Sequence, residues 1–144
     1  MEILFVCTGN TCRSPMAEGL LNLAAARENL PIHASSCGIS AMRVPASKNA
    51  VLAAEELGAD ISEHVARQVN EELLKNADYV LCMGARHLYA LEDAYPQYAS
   101  KLRTLAGRDI ADPYGGTLDD YRKCAEEINC AIKKILPALK EKLK

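Results

Sequence analysis

The stretch Glu2-Ile3-Leu4-Phe5-Val6-Cys7-Thr8-Gly9-Asn10-Thr11-Cys12-Arg13-Ser14-Pro15 decides the fold of this chain. Residues 2–6 form a short apolar run that leads into a glycine-containing loop, which predicts a buried parallel strand. A helix is then expected, with Ser14 as its N-cap, Pro15 at its first position and its end near Glu28. A strand, a tight loop and a helix in direct succession are typical of a parallel sheet covered by helices.

The rest of the chain repeats this alternation of strand-like and helix-like segments. Further strands are expected at residues 32–37, 78–82 and, more weakly, 101–105. Further helices are expected at about residues 46–57 and 70–76, and a helical turn is expected near residues 85–92. From Leu118 onward, apolar residues recur at spacings of three and four, so a last helix should pack on the sheet, with Pro137 kinking it or ending its regular part. The sequence predicts one domain, residues 1–144, with an α/β fold of three layers, α/β/α, around a four-stranded parallel sheet.

The loop after the first strand has the composition of an anion site. Ligands of parallel sheets bind beyond the carboxyl ends of the strands, where this loop must lie. Its backbone N–H groups and the helix N-terminus can converge on an anion, and Gly9 permits the tight turn. Arg13 can donate two hydrogen bonds to phosphate, and the same positive field favours a thiolate at Cys7. A buried, inert cysteine in a turn is the alternative, but five residues between Cys7 and Arg13-Ser14 favour the anion site.

This spacing of Cys7 and Arg13-Ser14 resembles the signature of the low-molecular-weight protein tyrosine phosphatases. The resemblance continues at residues 15–18 (Pro-Met-Ala-Glu), 64–68 (His-Val-Ala-Arg-Gln) and 112–116 (Asp-Pro-Tyr-Gly-Gly), in the same order along the chain. It implies the phosphotyrosine protein phosphatase I-like fold. It also implies a cysteine-dependent protein phosphatase that forms a phosphocysteine intermediate and needs neither a metal nor an organic cofactor.

The resemblance assigns roles to individual residues. Cys7 would be the nucleophile, Arg13 would bind the phosphoryl group, and Asp112 would protonate the leaving group and later activate water. By spacing alone, an Asp-Pro-Tyr-Gly-Gly segment is more often just a turn. The phosphate-binding loop would comprise Thr8, Gly9, Asn10, Thr11, Cys12, Arg13 and Ser14.

Other residues would support this loop. The resemblance implies that Asn10 bonds to Ser36 and His64, while Ser14 bonds the sulfur of the nucleophile. His33 and His87 are interpreted as ordinary surface or turn residues. Cys12 is either a packing residue or the redox partner of Cys7 in a reversible disulfide, and the sequence leaves both readings open.

Two positions bear on the substrate. Thr11 stands where tyrosine phosphatases of the family usually carry a branched aliphatic residue, and Tyr114 is followed by glycine rather than a second tyrosine. Residues 39–45 contain no aromatic side chain, so little ring surface is available for stacking a phenyl group. The pattern resembles the bacterial protein-arginine phosphatases of the family. Phosphoarginine on proteins is therefore the predicted substrate, and phosphotyrosine is the alternative.

Two other kinds of protein are alternatives to a phosphatase. An arsenate reductase would use Cys82 in a thiol relay, but the residues after Cys82 supply no further cysteine. A non-catalytic phosphate-binding module would be favoured by loss of Cys7 or Asp112, and both are present.

Composition and charge indicate which partners and which cellular compartment to expect. The formal net charge is -2 with both signs dispersed, which gives no reason to expect a nucleic acid or an anionic membrane as partner. No stretch has the length or composition of a signal peptide or a membrane span. The six cysteines form no zinc-like pair, and reduced thiols are the simplest account. We expect a cytoplasmic monomer that acts on phosphorylated proteins.

Overall fold

Four parallel strands form the centre of the computed structural model, which describes residues 1–144. They are β1 (Glu2–Cys7), β2 (His33–Gly38), β3 (Tyr79–Cys82) and β4 (Leu102–Thr104). Their order across the sheet is β2-β1-β3-β4, and all three neighbouring pairs are parallel. The predicted four-stranded parallel sheet is confirmed. Because β1 is an inner strand, the loop that follows it starts near the middle of the sheet edge.

Five α-helices connect and cover the strands. They are α1 (Arg13–Arg27), α2 (Lys48–Glu56), α3 (Glu71–Asn76), α4 (Ala85–Ala94) and α5 (Leu118–Lys142). A 3₁₀ helix, Pro96–Lys101, precedes β4 and has no counterpart in the sequence prediction. None of the helices has the combination of length and apolarity needed to cross a membrane.

Alternation along β1 divides the interior between the two faces of the sheet. Ile3 and Phe5 belong to a core cluster of 29 buried residues, whereas Leu4 and Val6 belong to a second cluster of 10. Successive strand residues point to opposite faces, so one strand supplies both clusters. The helical members of the larger cluster include Met16 of α1, Ala50 of α2 and Ile128 of α5, and those of the smaller include Leu74 of α3 and Leu91 of α4. The three-layer α/β/α prediction is thereby confirmed.

The predicted cap of α1 is wrong. The helix begins at Arg13, its N-cap is Cys12, and no side chain caps it. Ser14 lies inside the first turn, fully buried, with its hydroxyl 2.8 Å from the sulfur of Cys7. A serine before a helix usually satisfies a free backbone N–H. Here its hydroxyl is bonded to the buried thiol instead.

Pro137 does not end α5, which continues to Lys142. Proline removes one backbone donor, so the carbonyl of Lys133 loses its partner four residues on. Leu136 and Leu139 flank the proline and are both 7% exposed, packed into the larger core cluster. Burial of two leucines, worth about 1.5–3 kcal/mol each, is enough to carry the helix through this position.

Candidate active site

A pocket of about 210 Å³ opens where β1 meets α1. It is lined by Cys7, Thr8, Gly9, Thr11, Cys12, Arg13, Asp112 and Tyr114. The first six come from one short loop, and the last two come from the segment before α5. The structure thus brings together the three residues predicted to be catalytic with both residues predicted to set specificity.

The loop backbone is shaped as an anion receptor. Asn10 has φ +56°, a left-handed conformation that turns the chain back on itself. No backbone N–H of residues 8–12 donates to a protein acceptor. The N-terminus of α1 follows directly and adds the positive end of its dipole. These donors can therefore bind the oxygens of a phosphoryl group.

Cys7 lies at the base of this loop, 2% exposed. Its sulfur is 2.8 Å from Ser14 Oγ, and Ser14 Oγ also accepts a hydrogen bond from Asn10 Nδ2 at 2.8 Å. A hydroxyl has a single hydrogen, and the amide of Asn10 occupies one lone pair of the oxygen. The Ser14 hydrogen can therefore point at the Cys7 sulfur, since its other acceptor, the carbonyl of Cys37, is more distant at 3.5 Å. A donor in this position stabilises a thiolate more than a thiol.

Arg13 is 5% exposed and its guanidinium is only partly paired within the protein. Nη1 donates to the carbonyl of Ile110 at 2.9 Å, and Nη2 lies 3.4 Å from Asp112 Oδ2. Nε is buried and has no protein partner. An arginine fixed through one nitrogen and open through another can bind a phosphoryl oxygen in a defined orientation.

The Asp112 segment is an exposed loop anchored to α5. The Asp112 side chain is 46% exposed, and its Oδ1 accepts the N–H of Tyr114 at 3.1 Å. Gly116 leaves no room for a side chain, since a Cβ there would lie 2.5 Å from Asp120 Oδ2. Asp120 and Thr117 form a capping box that begins α5. The carboxylate of Asp112 is thereby held at the pocket beside Arg13.

Asn10 is the centre of a buried hydrogen-bond network. Its Nδ2 donates to Ser14 Oγ and, at 3.0 Å, to Ser36 Oγ. Its Oδ1 accepts the N–H of Arg67 at 3.0 Å, and its carbonyl oxygen lies 2.8 Å from His64 Nε2. Four partners thus hold one strained residue, and Ser36 and His64 lie where the resemblance implied.

Glu18 and Arg67 also belong to this network, although no pattern in the sequence assigns them a role in it. Glu18 Oε1 accepts a hydrogen bond from Ser36 Oγ at 2.7 Å, and Arg67 Nε donates to the carbonyl of Ser36 at 2.9 Å. Glu18 and Arg67 lie in two of the stretches that resemble the family, residues 15–18 and 64–68. This resemblance was the only indication in the sequence, because a single sequence does not show that the two stretches meet at Ser36.

Replacing Asn10 with alanine should loosen the loop. The variant loses the side-chain bonds and places alanine at a positive φ, so we expect the free energy of unfolding to fall by about 2–4 kcal/mol. Phosphatase turnover should fall at least about tenfold. Urea unfolding and p-nitrophenyl phosphate hydrolysis measure the two effects. Ser36→Ala, which removes one partner of Asn10, serves as the milder control, and wild-type stability of Asn10→Ala would contradict the role given to the network.

Cys12 sits among hydroxyl groups. Its sulfur lies 3.3 Å from Tyr121 Oη and 3.4 Å from Ser47 Oγ. Burial, followed by the hydrogen bond to Cys12, raises the pKa of Tyr121 to about 12, so the phenol keeps its hydrogen. Ser47 also donates its N–H to the carbonyl of Thr11 at 2.9 Å. Cys7 and Cys12 are both free thiols in this structure, and their disulfide stays a prediction.

The interpretation of His87 as an ordinary surface or turn residue is wrong. The side chain is 2% exposed, and Nε2 lies 3.0 Å from Thr8 Oγ1. Burial, aided by the positive charges of Arg13 and Arg86, lowers the pKa of His87 to about 4. The segment forms a full helix, α4, and this position faces inward. His33 is an exposed residue paired with Glu2, as expected.

Other cysteines near the site are unsuited to redox chemistry. Cys37 and Cys82, on the strands that flank β1, are fully buried, and burial raises the pKa of each to about 12. A thiol must ionise to react, so Cys82 is a poor relay residue. The chain has no group of three or more His, Cys, Asp or Glu side chains that could hold a metal ion.

Comparisons with known proteins agree with this site. The chain is 36% identical to the protein-arginine-phosphatase of Bacillus subtilis (strain 168), over 98% of both proteins. It is 42% identical to the low molecular weight protein-tyrosine-phosphatase Ptp of Acinetobacter johnsonii, over 78% of this chain and 80% of that one. A solved structure of the YwlE arginine phosphatase, a cysteine-to-serine mutant with a phosphorylated active-site serine, superposes with a TM-score of 0.93 at 36% identity, covering 97% and 96% of the two chains.

Fold and relatives together define a phosphatase of the cysteine-dependent class. More specifically, residues 2–144 match the family described as low molecular weight phosphotyrosine protein phosphatase, and the chain belongs to that family.

Proposed function

We propose that this phosphatase hydrolyses phosphoarginine in proteins through a phosphocysteine intermediate on Cys7. The observation that carries the substrate assignment is the composition of the pocket wall, where Thr11 contributes a hydroxyl and Tyr114 is the single aromatic residue. Tyr114 is 76% exposed and lies at the rim rather than deep in the pocket. The wall therefore offers more polar than aromatic contact to the group that carries the phosphate.

In the first step the Cys7 thiolate attacks phosphorus. The S–P bond forms, the P–N bond breaks, and its electron pair remains on the departing guanidine nitrogen, which Asp112 protonates. Arg13 and the N–H groups of residues 8–12 bind the three phosphoryl oxygens as charge redistributes. Asp112 lines the same pocket as Cys7, which allows it to serve as the acid.

In the second step water attacks the phosphocysteine. Asp112 takes a proton from that water, the S–P bond breaks, and the electron pair returns to the sulfur of Cys7 as inorganic phosphate is released. Ser14 Oγ, 2.8 Å from this sulfur, stabilises the departing thiolate. The phosphorylated serine in the YwlE mutant shows that a covalent phosphoryl group forms at the nucleophile position of that relative.

A guanidinium group would find acceptors at this site. Thr11 Oγ1 has one weak protein contact, at 3.6 Å to the Cys12 sulfur, so its lone pairs are available. The Asp112 side chain is 46% exposed at the pocket, and each of its oxygens has one protein partner, so lone pairs remain on both. A planar guanidinium presents several N–H donors in fixed directions, and free acceptor lone pairs in the pocket can bind them. A phenyl ring has no such donors and gains nothing from these acceptors.

Phosphotyrosine is the competing substrate, favoured by Tyr114 and by the 42% identity to a tyrosine phosphatase. The two candidates are separated by measuring kcat/KM on one peptide that carries phosphoarginine or phosphotyrosine at the same position. We expect phosphoarginine to be preferred at least about tenfold, the range that a few pocket contacts provide. A wild-type preference for phosphotyrosine would overturn the assignment and leave the chemistry of Cys7 intact.

Changing Thr11 should shift this preference. Thr11→Ile removes the hydroxyl while keeping a branched side chain, so we expect kcat/KM for phosphoarginine to fall about 10- to 100-fold. Phosphotyrosine turnover should be unchanged or higher, since an apolar wall suits a ring. Thr11→Ser, which keeps the hydroxyl, is the control and should resemble wild type. Equal losses on both substrates in Thr11→Ile would assign the residue to loop shape instead.

We place the enzyme in the cytoplasm as a monomer. All six cysteines are free thiols, which suits a reducing compartment. Size-exclusion chromatography with light scattering tests the monomer, and a stable dimer at low micromolar concentration would contradict it.

A further inference from the structure

A second polar cluster lies beside the pocket, around Thr8. Its Oγ1 is 3.0 Å from His87 Nε2, and Arg86 Nη2 donates to the same oxygen at 3.1 Å. Thr8 lines the phosphate pocket, whereas His87 lies behind it, 2% exposed. Neither step of the proposed hydrolysis uses this buried histidine.

Only one ring nitrogen of His87 carries hydrogen at neutral pH. The ring is buried, and it faces Arg13 of α1, Arg86 of its own helix, and Asp109 and Asp112 of the segment before α5. Burial and the two arginines outweigh the two carboxylates and keep the pKa of the ring near 4. The neutral ring therefore has one donor and one acceptor nitrogen.

The hydrogen-bond partners of His87 indicate which of its two ring nitrogens carries the hydrogen. His87 Nδ1 is buried with no protein partner. If the hydrogen were on Nδ1, a buried N–H would have no acceptor, a situation that native proteins rarely tolerate. With the hydrogen on Nε2, the unpaired atom Nδ1 is an acceptor, and a buried acceptor without a partner is tolerated better than a buried donor. Nε2–H then donates to Thr8 Oγ1.

We infer that Arg86 and His87 together occupy both lone pairs of Thr8 Oγ1 and so turn its hydroxyl hydrogen toward the phosphoryl group in the pocket. A hydroxyl has two lone pairs and one hydrogen. When Arg86 and His87 both donate to this oxygen, its own hydrogen is the only group left to form a further hydrogen bond. Because Thr8 lines the pocket, that bond can be made to a ligand there. Thr8 thus contributes a side-chain donor in addition to its backbone N–H, and His87 is a positioning residue.

This inference rests on the proposed function only in that the pocket binds a phosphoryl group. It does not depend on whether that group comes from arginine or tyrosine. Inorganic phosphate is therefore the suitable probe, because it is the shared product of both reactions.

The tautomer is tested directly by NMR. Nitrogen-15 spectra of the wild-type protein at neutral pH should show His87 with hydrogen on Nε2 and a bare Nδ1. A ring protonated at Nδ1 would overturn the inference, because Thr8 would then donate to His87 instead of to the ligand. This measurement needs neither substrate nor turnover.

Inhibition by inorganic phosphate tests the consequence, with p-nitrophenyl phosphate as reporter substrate. Thr8→Val keeps the side-chain shape and removes the hydroxyl, and we expect the inhibition constant to rise roughly tenfold, as for loss of a hydrogen bond to a charged group. Thr8→Ser should stay near wild type. Wild-type phosphate affinity in Thr8→Val would overturn the proposal.

Variants of His87 separate positioning from packing. His87→Gln places an amide nitrogen near the position of Nε2 and should restore most of the affinity, whereas His87→Leu should weaken phosphate binding as Thr8→Val does. The double variant Thr8→Val/His87→Leu should be no weaker than Thr8→Val alone, since both remove the same bond. Additive losses, or failure of His87→Gln to rescue, would assign His87 to packing and contradict the inference. A preference for phosphotyrosine would overturn the substrate proposal and leave these results standing.

Discussion

Cys7→Ser should lower kcat/KM by about 10⁴-fold or more on both p-nitrophenyl phosphate and a phosphoarginine peptide. The Ser14 hydroxyl at 2.8 Å, the unpaired N–H groups of residues 8–12 and the start of α1 surround the Cys7 sulfur, and the proposed mechanism uses this sulfur as the nucleophile. A serine hydroxyl in the same place stays protonated and is a far weaker nucleophile. The two side chains have nearly the same shape, so the loss reports chemistry and not folding.

The control is a cysteine that is remote from the pocket. Cys130 is exposed on α5 and lines no part of the active site. Cys130→Ser should retain wild-type kcat/KM within about twofold, as surface substitutions usually do. Activity of Cys7→Ser within tenfold of wild type would contradict the role of Cys7 as nucleophile.

Asp112→Asn should lower kcat by about 10²- to 10⁴-fold, the contribution of a positioned acid–base group. The amide keeps the size of the side chain and its bond to the Tyr114 N–H, but it cannot transfer a proton. For formation of the phosphoenzyme, the deficit should be smaller with p-nitrophenyl phosphate, because p-nitrophenolate departs without help. Burst kinetics with leaving groups of graded basicity measure this dependence.

The matched control for Asp112 is an exposed carboxylate on α5. Asp119 is 76% exposed and pairs with Arg122 at 2.8 Å, a surface ion pair of little energetic weight. Asp119→Asn should leave kcat unchanged. A deficit in Asp112→Asn that is the same for every leaving group would contradict its role as the acid in the first step.

The sheet could be predicted from the sequence because its local pattern and its packing agree. Residues 2–6 are apolar throughout, and the structure shows why: Ile3 and Phe5 face one core cluster while Leu4 and Val6 face the other. A strand that is buried on both faces needs apolar residues at nearly every position, so it appears in the sequence as a continuous apolar run. The loop from Cys7 to Ser14 was equally predictable, since its residue types and its strand-to-helix context indicate the same chemistry.

The long-range hydrogen bonds of the site could not be predicted from patterns of residues in the sequence. Asn10 meets Ser36, His64 and Arg67 across 26 to 57 positions of sequence. Ser36 and His64 were anticipated only through the resemblance to a family. The contact of His87 with Thr8 joins residues 79 positions apart and was missed altogether. Short polar side chains carry no period that identifies their partners, so only the folded chain reveals them.

Local rules failed where tertiary contacts compete with them. Ser14 has the position of an N-cap, yet its hydroxyl bonds the Cys7 sulfur. Pro137 has the character of a helix terminator, yet the packing of Leu136 and Leu139 carries α5 past it. The first exception lies at the active site, where function takes precedence over the local rule.

The most direct test of the central claim is to follow the phosphoryl group itself. Wild-type enzyme is mixed with excess phosphoarginine peptide, stopped within milliseconds under denaturing conditions, and mapped by mass spectrometry. We expect a phosphoryl group on Cys7 and on no other residue, formed at a rate equal to or faster than kcat. Dephosphorylation of the peptide without a phosphoryl group on Cys7, or an intact peptide under conditions where phosphotyrosine does label Cys7, would contradict the account.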